Sequence, residues 1–302
     1  MPTTRRKFIH YIGAAATAKL VLPQVLLASD AAKKSHCVLS CNIRVALPED
    51  DAKGVGWAAR KDICLKIIKK QQPDIVCFQE VLREQAADIR TFFPTYQLLG
   101  FDGPEMDAHK SGYHGIAKNP ILFSKERYEL LAAGVYWLSE TPLVAGSKSW
   151  DTARARHANW VRLRDRKTHK ELRVVSLHLD HVSGEAKLQQ AKMVALESDQ
   201  YPAAFPQIIA GDFNSRFDSP VLASLREKQW KESYETLHGE KEAGFTGHEF
   251  QGTHYTKAAS KGRIDFIWYK GALQPLASRI IKDEINGRFP SDHFFIRSDF
   301  TI

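Results

Sequence analysis

The sequence lacks the features of a disulfide-stabilised or zinc-binding protein. It contains only four cysteines, Cys37, Cys41, Cys64 and Cys77, without the paired spacing of a zinc site. Cys37 and Cys41 lie four residues apart on one predicted strand, about 13 Å along the strand, which is too far for a disulfide. We expect buried free thiols for most of the four. A bridge that uses Cys64 or Cys77 stays open.

Interdomain linkers, internal repeats and long charge runs are also missing. No Pro/Gly/Ser-rich stretch divides the 302 residues, so one large domain is favoured over two small ones. The composition, 43% hydrophobic and 26% charged, is ordinary for a globular protein. No helix-like stretch concentrates Lys and Arg on one face, as a nucleic-acid groove would favour.

The N-terminus has a separate pattern. Arg5 and Arg6 precede a weakly apolar run, residues 12–28, which is typical of a twin-arginine export signal. The run contains Lys19 and Pro23 and is shorter than the roughly 20 apolar residues of a membrane span. We therefore expect cleavage or simple tethering, and no stable membrane span.

These observations predict a signal peptide over residues 1–31 and a folded domain over residues 36–302. Export by the twin-arginine machinery would place the protein in the periplasm or outside the cell. Without residues 1–31 the chain has 39 basic and 34 acidic residues, a net charge of +5. This mild charge suits a phosphorylated substrate and does not require nucleic acid.

Apolar periodicity predicts an α/β fold in which strands outnumber helices. The predicted strands are 37–42, 75–79, 96–101, 120–123, 135–138, 160–163, 172–179, 208–212, 264–269 and 294–300. The predicted helices are 57–71, 83–93, 184–201 and 220–228. Two mixed sheets packed face to face, each covered by helices, would use all of these elements. Residues 238–260 are predicted as a loop at the rim of a site.

The stretch I-I-A-G-D-F-N-S at residues 208–215 gives the strongest single signal. Asp212 and Asn214 follow a buried strand and project to the same side, because alternate residues of an extended segment share a face. A carboxylate beside an amide can hold a water in line with a phosphorus atom. Taken alone, the pair is equally compatible with an Asx-turn.

Similar polar residues end five other strands or loops. Together with G-D-F-N-S itself, the six sequences are S-C-N, F-Q-E-V, S-L-H-L-D-H, G-D-F-N-S, G-R-I-D-F-I and P-S-D-H-F. Each alone is common in turns, caps or solvated ends, but chance does not readily explain all six in this order. The polar residues are Asn42, Glu80, His178, Asp180, Asp212, Asn214, Asp265, Asp292 and His293.

With these motifs the chain resembles the endonuclease/exonuclease/phosphatase superfamily, from about Cys37 to the C-terminus. The resemblance implies a four-layer α/β sandwich. It also implies a Mg²⁺ or Mn²⁺ ion with Glu80 as principal ligand, Asn42 beside it and Asp292 closing the site. Few, hard oxygen ligands suit Mg²⁺, which keeps water and shares the substrate phosphate.

The resemblance also implies catalytic roles. Asp212 would orient or deprotonate the attacking water, and Asn214 would hold that water or a phosphoryl oxygen. His293 would donate to the developing charge, with Asp265 fixing its tautomer. His178 would bind the phosphoryl group.

A narrower resemblance, to a bacterial exported branch close to the nocturnin-like group, lies in residues 135–163. It rests on Y-W-L-S-E-T-P, G-S-K-S-W-D and R-H-A-N-W-V-R-L. Arg156 is the predicted phosphate-binding residue there, because a guanidinium can hold phosphate bidentately, with a surface ion pair as the alternative. Asn159 and Asp180 are further candidate substrate contacts, whereas His181 is expected to be a solvated loop residue.

The sequence thus predicts an exported, monomeric, metal-dependent phosphoesterase. In-line attack of an activated water on a small phosphodiester or phosphomonoester is favoured. The alternatives are a secreted nuclease acting on DNA or RNA and, from a different class, a domain that binds a partner without chemistry.

Overall fold

Residues 35–100, 118–239, 244–257 and 262–302 are described by a computed structural model. The strands are β1 His36–Asn42, β2 Ile75–Gln79, β3 Tyr96–Leu99, β4 Ile121–Ser124, β5 Tyr128–Trp137, β6 His157–Asp165, β7 Glu171–His178, β8 Gln207–Asp212, β9 Lys231–Glu232, β10 Asp265–Lys270, β11 Gln274–Ile281 and β12 Phe295–Thr301. The α-helices are α1 Pro48–Ala52, α2 Trp57–Lys70, α3 Arg83–Phe92, α4 Gly184–Glu197, α5 Pro220–Glu227 and α6 Ser233–His238. Short 3₁₀ helices occur at Ser198–Gln200 and Gly252–His254.

The strands form two six-stranded mixed sheets. The order is β11-β12-β1-β2-β4-β3 in the first sheet and β5-β6-β7-β8-β10-β9 in the second. Each sheet contains one parallel pair, β1 with β2 and β7 with β8. The strands β1, β2, β7 and β8 read as nearly continuous apolar runs because both of their faces are covered.

Three apolar cores separate four layers. The middle core lies between the sheets, with Val38 and Ile75 from the first sheet and Val174 and Ile208 from the second. A second core packs α2 and α3 on the outer face of the first sheet. A third packs α4 and α5 on the outer face of the second sheet. The order helix, sheet, sheet, helix confirms the predicted four-layer α/β sandwich.

Helices α4 and α5 begin where the sequence provides a cap. Ser183 Oγ accepts a hydrogen bond from Ala186 N at the start of α4. Ser219 does the same for Leu222 N at the start of α5, with Pro220 in the first turn. These caps set the direction in which the chain leaves β7 and β8, so they help to shape the loops that carry the site.

Several elements were absent from the sequence prediction. α1 lies between the predicted strand 37–42 and the predicted helix 57–71, α6 and β9 are short, and β5 begins seven residues before the predicted strand at 135. β11 is an edge strand in which Pro275, Ser278 and Ile281 are the buried residues, with a bulge after Pro275, so its apolar signal is weak. Short or half-exposed elements give little periodicity, which explains why the pattern missed them.

The four cysteines are buried free thiols, which resolves the open case of Cys64 and Cys77. Ser35–Ile302 forms one compact unit. Within the described ranges, no helix has both the length and the apolar character needed to cross a membrane. The predicted signal peptide lies outside the described residues and stays a prediction.

Candidate active site

Strand ends from both sheets meet at one place. In the second sheet His178, Asp212 and Asp265 occupy paired positions on β7, β8 and β10, so they form a row. In the first sheet Asn42 ends β1 beside the end of β2. The Asn42 amide Nδ2 donates to Asp212 Oδ2 at 3.0 Å, which joins the two sheets across the site.

Glu80 directly follows β2 and adopts a left-handed backbone, with φ of 64°. Such a backbone conformation costs free energy in a residue with a side chain, and it occurs often at functional sites. Glu80 Oε1 accepts from Asn42 Nδ2 at 3.1 Å and Oε2 accepts from Val45 N at 2.9 Å. Burial opposes ionisation, but the Val45 hydrogen bond and the charge of His293 lower the pKa of Glu80. Glu80 is therefore held as a carboxylate.

Asp212 and Asn214 form an Asx-turn and also contact other residues of the site. Asn214 N donates to Asp212 Oδ1 at 2.8 Å, as in an Asx-turn, while Asp212 Oδ2 faces Asn42. The Asn214 amide Nδ2 donates to His178 Nε2 at 2.9 Å and to Leu179 O at 3.1 Å. Burial, followed by the negative charge of Asp265, raises the pKa of Asp212 to about 7. Asp212 can therefore take up a proton near neutral pH.

His293 forms an acid–base pair with Asp265. His293 Nδ1 lies 2.9 Å from Asp265 Oδ2, and His293 Nε2 lies 4.0 Å from Asp212 Oδ2. Burial alone would lower the pKa of His293, but the charge of Asp265 and its hydrogen bond raise it well above 6.5. His293 is thus protonated and can donate a hydrogen bond.

Asp292 lies beside Asn42 at the end of the first sheet. Ser291 Oγ donates to Asn42 O at 2.7 Å and contacts Asp292 Oδ1 at 3.2 Å. Arg44 Nη1 lies 3.4 Å from Asp292 Oδ2. Burial is the largest cause that raises the pKa of Asp292, and the charge of Glu80 adds to it. The negative charges of the Glu80 and Asp292 carboxylates therefore act on each other.

Comparisons with known proteins identify the family of this chain. Residues 39–293 match the model of the endonuclease/exonuclease/phosphatase family. The chain belongs to this family. The nucleases and phosphatases of this family hydrolyse phosphate esters with divalent metals, and membership in the family supports a hydrolase activity for the chain.

Individual relatives of the endonuclease/exonuclease/phosphatase family cover nearly all of the folded domain. A solved family member from Bacteroides vulgatus is 28% identical with a TM-score of 0.77, covering 89% of this chain and 99% of that one. A mannosyl-6-phosphatase from Bacteroides thetaiotaomicron is 25% identical with a TM-score of 0.77, covering 88% and 100%. Mus musculus nocturnin is 25% identical over 272 residues, covering 82% of this chain and 59% of nocturnin. The chain thus spans less than two thirds of the length of that curated relative.

The residues that the family resemblance assigned to the metal include two suitable ligands. Glu80 and Asp292 are carboxylates whose charges interact, so a cation between them would relieve their repulsion. The Asn42 amide nitrogen faces the carboxylates, and its Oδ1 accepts from Arg44 N at 3.0 Å. In this arrangement Asn42 fixes Glu80 and Asp212, and its role as a ligand stays a prediction.

A second set of residues has metal-like spacing. Among the described residues, ligand atoms of Asp212, Asp265 and His293 lie within 4.8 Å of one another. We assign this group to proton transfer, because the hydrogen bond between Asp265 and His293 already occupies one oxygen and one ring nitrogen. The endonuclease/exonuclease/phosphatase site therefore divides into a carboxylate pair and an acid–base group.

The three predicted substrate contacts lie in different surroundings. The buried Arg156 is close enough to His178 to lower the pKa of His178, second only to the effect of burial. Asp180 instead accepts hydrogen bonds from the backbone N–H groups of Ala153, Val182 and Ser183, so it organises the loop. The Asn159 amide donates to the backbone carbonyl of Asn119 at 3.0 Å. Of the three, Arg156 is the one whose charge acts on a histidine of the cluster.

Two residues that sequence reasoning missed support the site. Arg44 links Asp292 to the buried Asp50, where its Nε lies 2.8 Å from Asp50 Oδ2. Thr246 Oγ1 accepts from Ile264 N and Asp265 N at 3.1 and 3.2 Å. Neither residue lies in a recognisable motif, because each acts on groups that are distant in sequence.

Proposed function

We propose that this chain is a Mg²⁺- or Mn²⁺-dependent phosphoesterase that hydrolyses a small phosphate ester by in-line attack of water. The single observation that carries the proposal is that Asp212 Oδ2 lies 4.0 Å from His293 Nε2 while His293 Nδ1 lies 2.9 Å from Asp265 Oδ2. Asp212, with a pKa of about 7, faces His293, which is protonated through its pair with Asp265. Two groups whose pKa values are shifted in this way are suited to act as base and acid.

Different residues of this chain have different roles in the proposed reaction. Asp212 removes a proton from the attacking water, whose position the Asn214 amide oxygen helps to fix. His293 donates to a non-bridging phosphoryl oxygen as its charge grows. His178 Nε2 lies 2.9 Å from Asn214 Nδ2 and 3.5 Å from Asp212 Oδ2, so this side of the ring is proposed to face the phosphoryl group.

The metal would be held mainly by Glu80 and Asp292. A bound divalent ion supplies neutralisation of charge on the phosphoryl group. Arg44 adds a fixed positive charge next to Asp292, and the Val45 N–H holds Glu80 in place. These contacts keep both carboxylates oriented toward a cation.

A phosphomonoester of a small molecule, such as a sugar phosphate, is the favoured substrate. The likeness to a mannosyl-6-phosphatase and the mild net charge of the folded domain support it. Arg156 is proposed to bind an oxygen of that substrate. A nuclease acting on DNA or RNA remains the alternative outcome of the test below.

The cellular setting is also a proposal. The paired arginines and apolar run at residues 5–28 support export by the twin-arginine machinery to the periplasm or the exterior. A monomer without a stable membrane span is expected there.

A phosphate-release screen tests the proposed function. The purified protein is assayed with sugar phosphates, nucleotides, bis-p-nitrophenyl phosphate, DNA and RNA, with Mg²⁺, with Mn²⁺ and with EDTA. We expect sugar phosphates to be hydrolysed fastest and EDTA to stop the reaction, with Asp212→Asn inactive. Activity that is indifferent to EDTA, or no hydrolysis of any ester, would overturn the proposal.

A further inference from the structure

The Arg156 guanidinium contacts His181, the last residue of the sequence S-L-H-L-D-H, which has no role in the site described above. Arg156 Nη2 lies 3.3 Å from His181 Nδ1, and Asp180 Oδ1 lies 3.8 Å from the same nitrogen. Arg156 itself is buried, whereas the His181 side chain is 43% exposed. His181 thus lies between the Arg156 guanidinium and solvent.

The backbone around this pair is fixed by a network of hydrogen bonds. Asp180 accepts from Ala153 N at 3.0 Å and from Ser183 N at 2.7 Å, which ties the loop before β6 to the turn after β7. Ser183 Oγ donates to Trp150 O at 2.8 Å across the same two segments. The distance between Arg156 and His181 is therefore set by both loops.

The pair has only one possible direction of hydrogen bonding. A guanidinium has donors and no acceptor, so His181 Nδ1 must be the acceptor and the ring proton must sit on Nε2. A protonated His181 would have no lone pair on Nδ1 to accept a hydrogen bond from Arg156 and would repel the guanidinium. The arrangement therefore exists only while His181 is neutral.

Resting on the proposed function, we propose that His181 is a positioning residue that holds Arg156 against an anionic oxygen of the substrate and releases it when protonated. Substrate affinity then depends on the charge of a residue that touches neither the metal ligands nor the attacking water. Neutral His181 keeps the guanidinium oriented, and cationic His181 displaces it.

The charged surroundings of His181 give the direction of the pH effect. Burial and the positive charge of Arg156 lower the pKa of His181, Arg154 adds to this, and Asp180 and Glu80 oppose it. His181 is neutral at pH 7 and gains its proton as the pH falls below 6.5. The KM for the phosphorylated substrate should therefore rise at acid pH.

Three variants test this role by steady-state kinetics with the best substrate of the screen. His181→Ala should raise KM about tenfold at pH 7.5, the effect of one lost charge-assisted hydrogen bond, with kcat within twofold. His181→Asn places an amide oxygen near the position of Nδ1, so its KM should stay near wild type and lose the acid rise. His169→Asn, at an exposed histidine in the turn between β6 and β7, is the matched control and should behave as wild type.

An NMR titration of the histidine ring nitrogens gives a readout that needs no turnover. Wild-type His181 should show the Nε2–H tautomer, and Arg156→Gln should raise its pKa. A protein inactive in every assay but with these NMR results would refute the proposed function and leave the His181–Arg156 pair standing. An Nδ1–H tautomer, or a KM of His181→Ala within twofold of wild type from pH 5.5 to 7.5, would refute the positioning role.

Discussion

The chemistry of single residues depends on where each proton sits. Asp212 and His293 lie 4.0 Å apart at their closest atoms, yet their pKa values are set by different neighbours. Burial and Asp265 raise the pKa of Asp212, whereas the bonded carboxylate of Asp265 keeps His293 charged. Asp265 therefore affects the pKa of both Asp212 and His293. A substitution at any of these three residues should change the pKa values of the others.

Removing the donor at His293 should stop turnover without unfolding the protein. We expect His293→Ala and Glu80→Gln each to lower kcat at least about 100-fold, because one lost stabiliser of the transition state costs about 3 kcal/mol. Phosphate release and urea unfolding are the measurements, with His169→Ala as the exposed control. Near-normal rates in either variant would contradict the assigned roles.

Thr246 should matter through the orientation of Asp265. Thr246→Val leaves the N–H groups of Ile264 and Asp265 without their acceptor, so we expect a loss of about 2 kcal/mol in the free energy of unfolding and a fall in kcat. Thr246→Ser keeps the hydroxyl and should restore both quantities. Urea unfolding and kinetics measure the effect, and equal behaviour of the two variants would rule out this role.

Arg60, a buried arginine in α2, connects separate backbone segments through hydrogen bonds. Arg60 Nε donates to Val55 O at 3.0 Å, Nη2 to Arg44 O at 2.6 Å, and Nη1 to Ile43 O and to Pro290 O. These carbonyls belong to the segment between β1 and α2 and to the loop before β12. Arg60 therefore ties the segment after Asn42, whose Val45 N–H donates to Glu80, to the segment that carries Asp292.

Replacing Arg60 by a lysine should weaken metal binding. Arg60→Lys cannot reach all four carbonyls, so we expect a loss of about 2 kcal/mol in stability and a higher dissociation constant for Mn²⁺. Arg173→Lys is the matched control, because Arg173 is equally buried but pairs with Glu197 away from the site. Calorimetric Mn²⁺ titration of the folded variants compares them, and equal metal affinity in both would count against the role of Arg60.

The molecule as a whole should be sensitive to mild acid. Burial lowers the pKa of His36 to about 4 and the pKa values of His157 and His248 to about 3. The unfolded chain binds these protons near pH 6.5 and the folded chain does not. Stability is therefore full above pH 6.5 and is lost as the pH falls toward 4.

Urea unfolding between pH 7.5 and 5.5 measures this loss. We expect a decrease on the order of 1 kcal/mol per buried histidine by pH 5.5. His36→Gln should flatten the decrease by removing one of the three groups, whereas His254→Gln, at an exposed site, should not. A stability that is constant over this range would show that these histidines titrate normally.

The amino-acid sequence by itself determined the fold class and named most of the polar residues that the structure brings together. Continuous apolar runs fix buried strands, and polar residues at their ends, such as Glu80 and Asp212, have no place in a core unless they act together. Only the tertiary structure assigned Thr246, Arg60 and His181, because each acts on groups distant in sequence. Hydrogen bonds between such groups require that the chain first brings them within about 3 Å, and no local pattern records that distance.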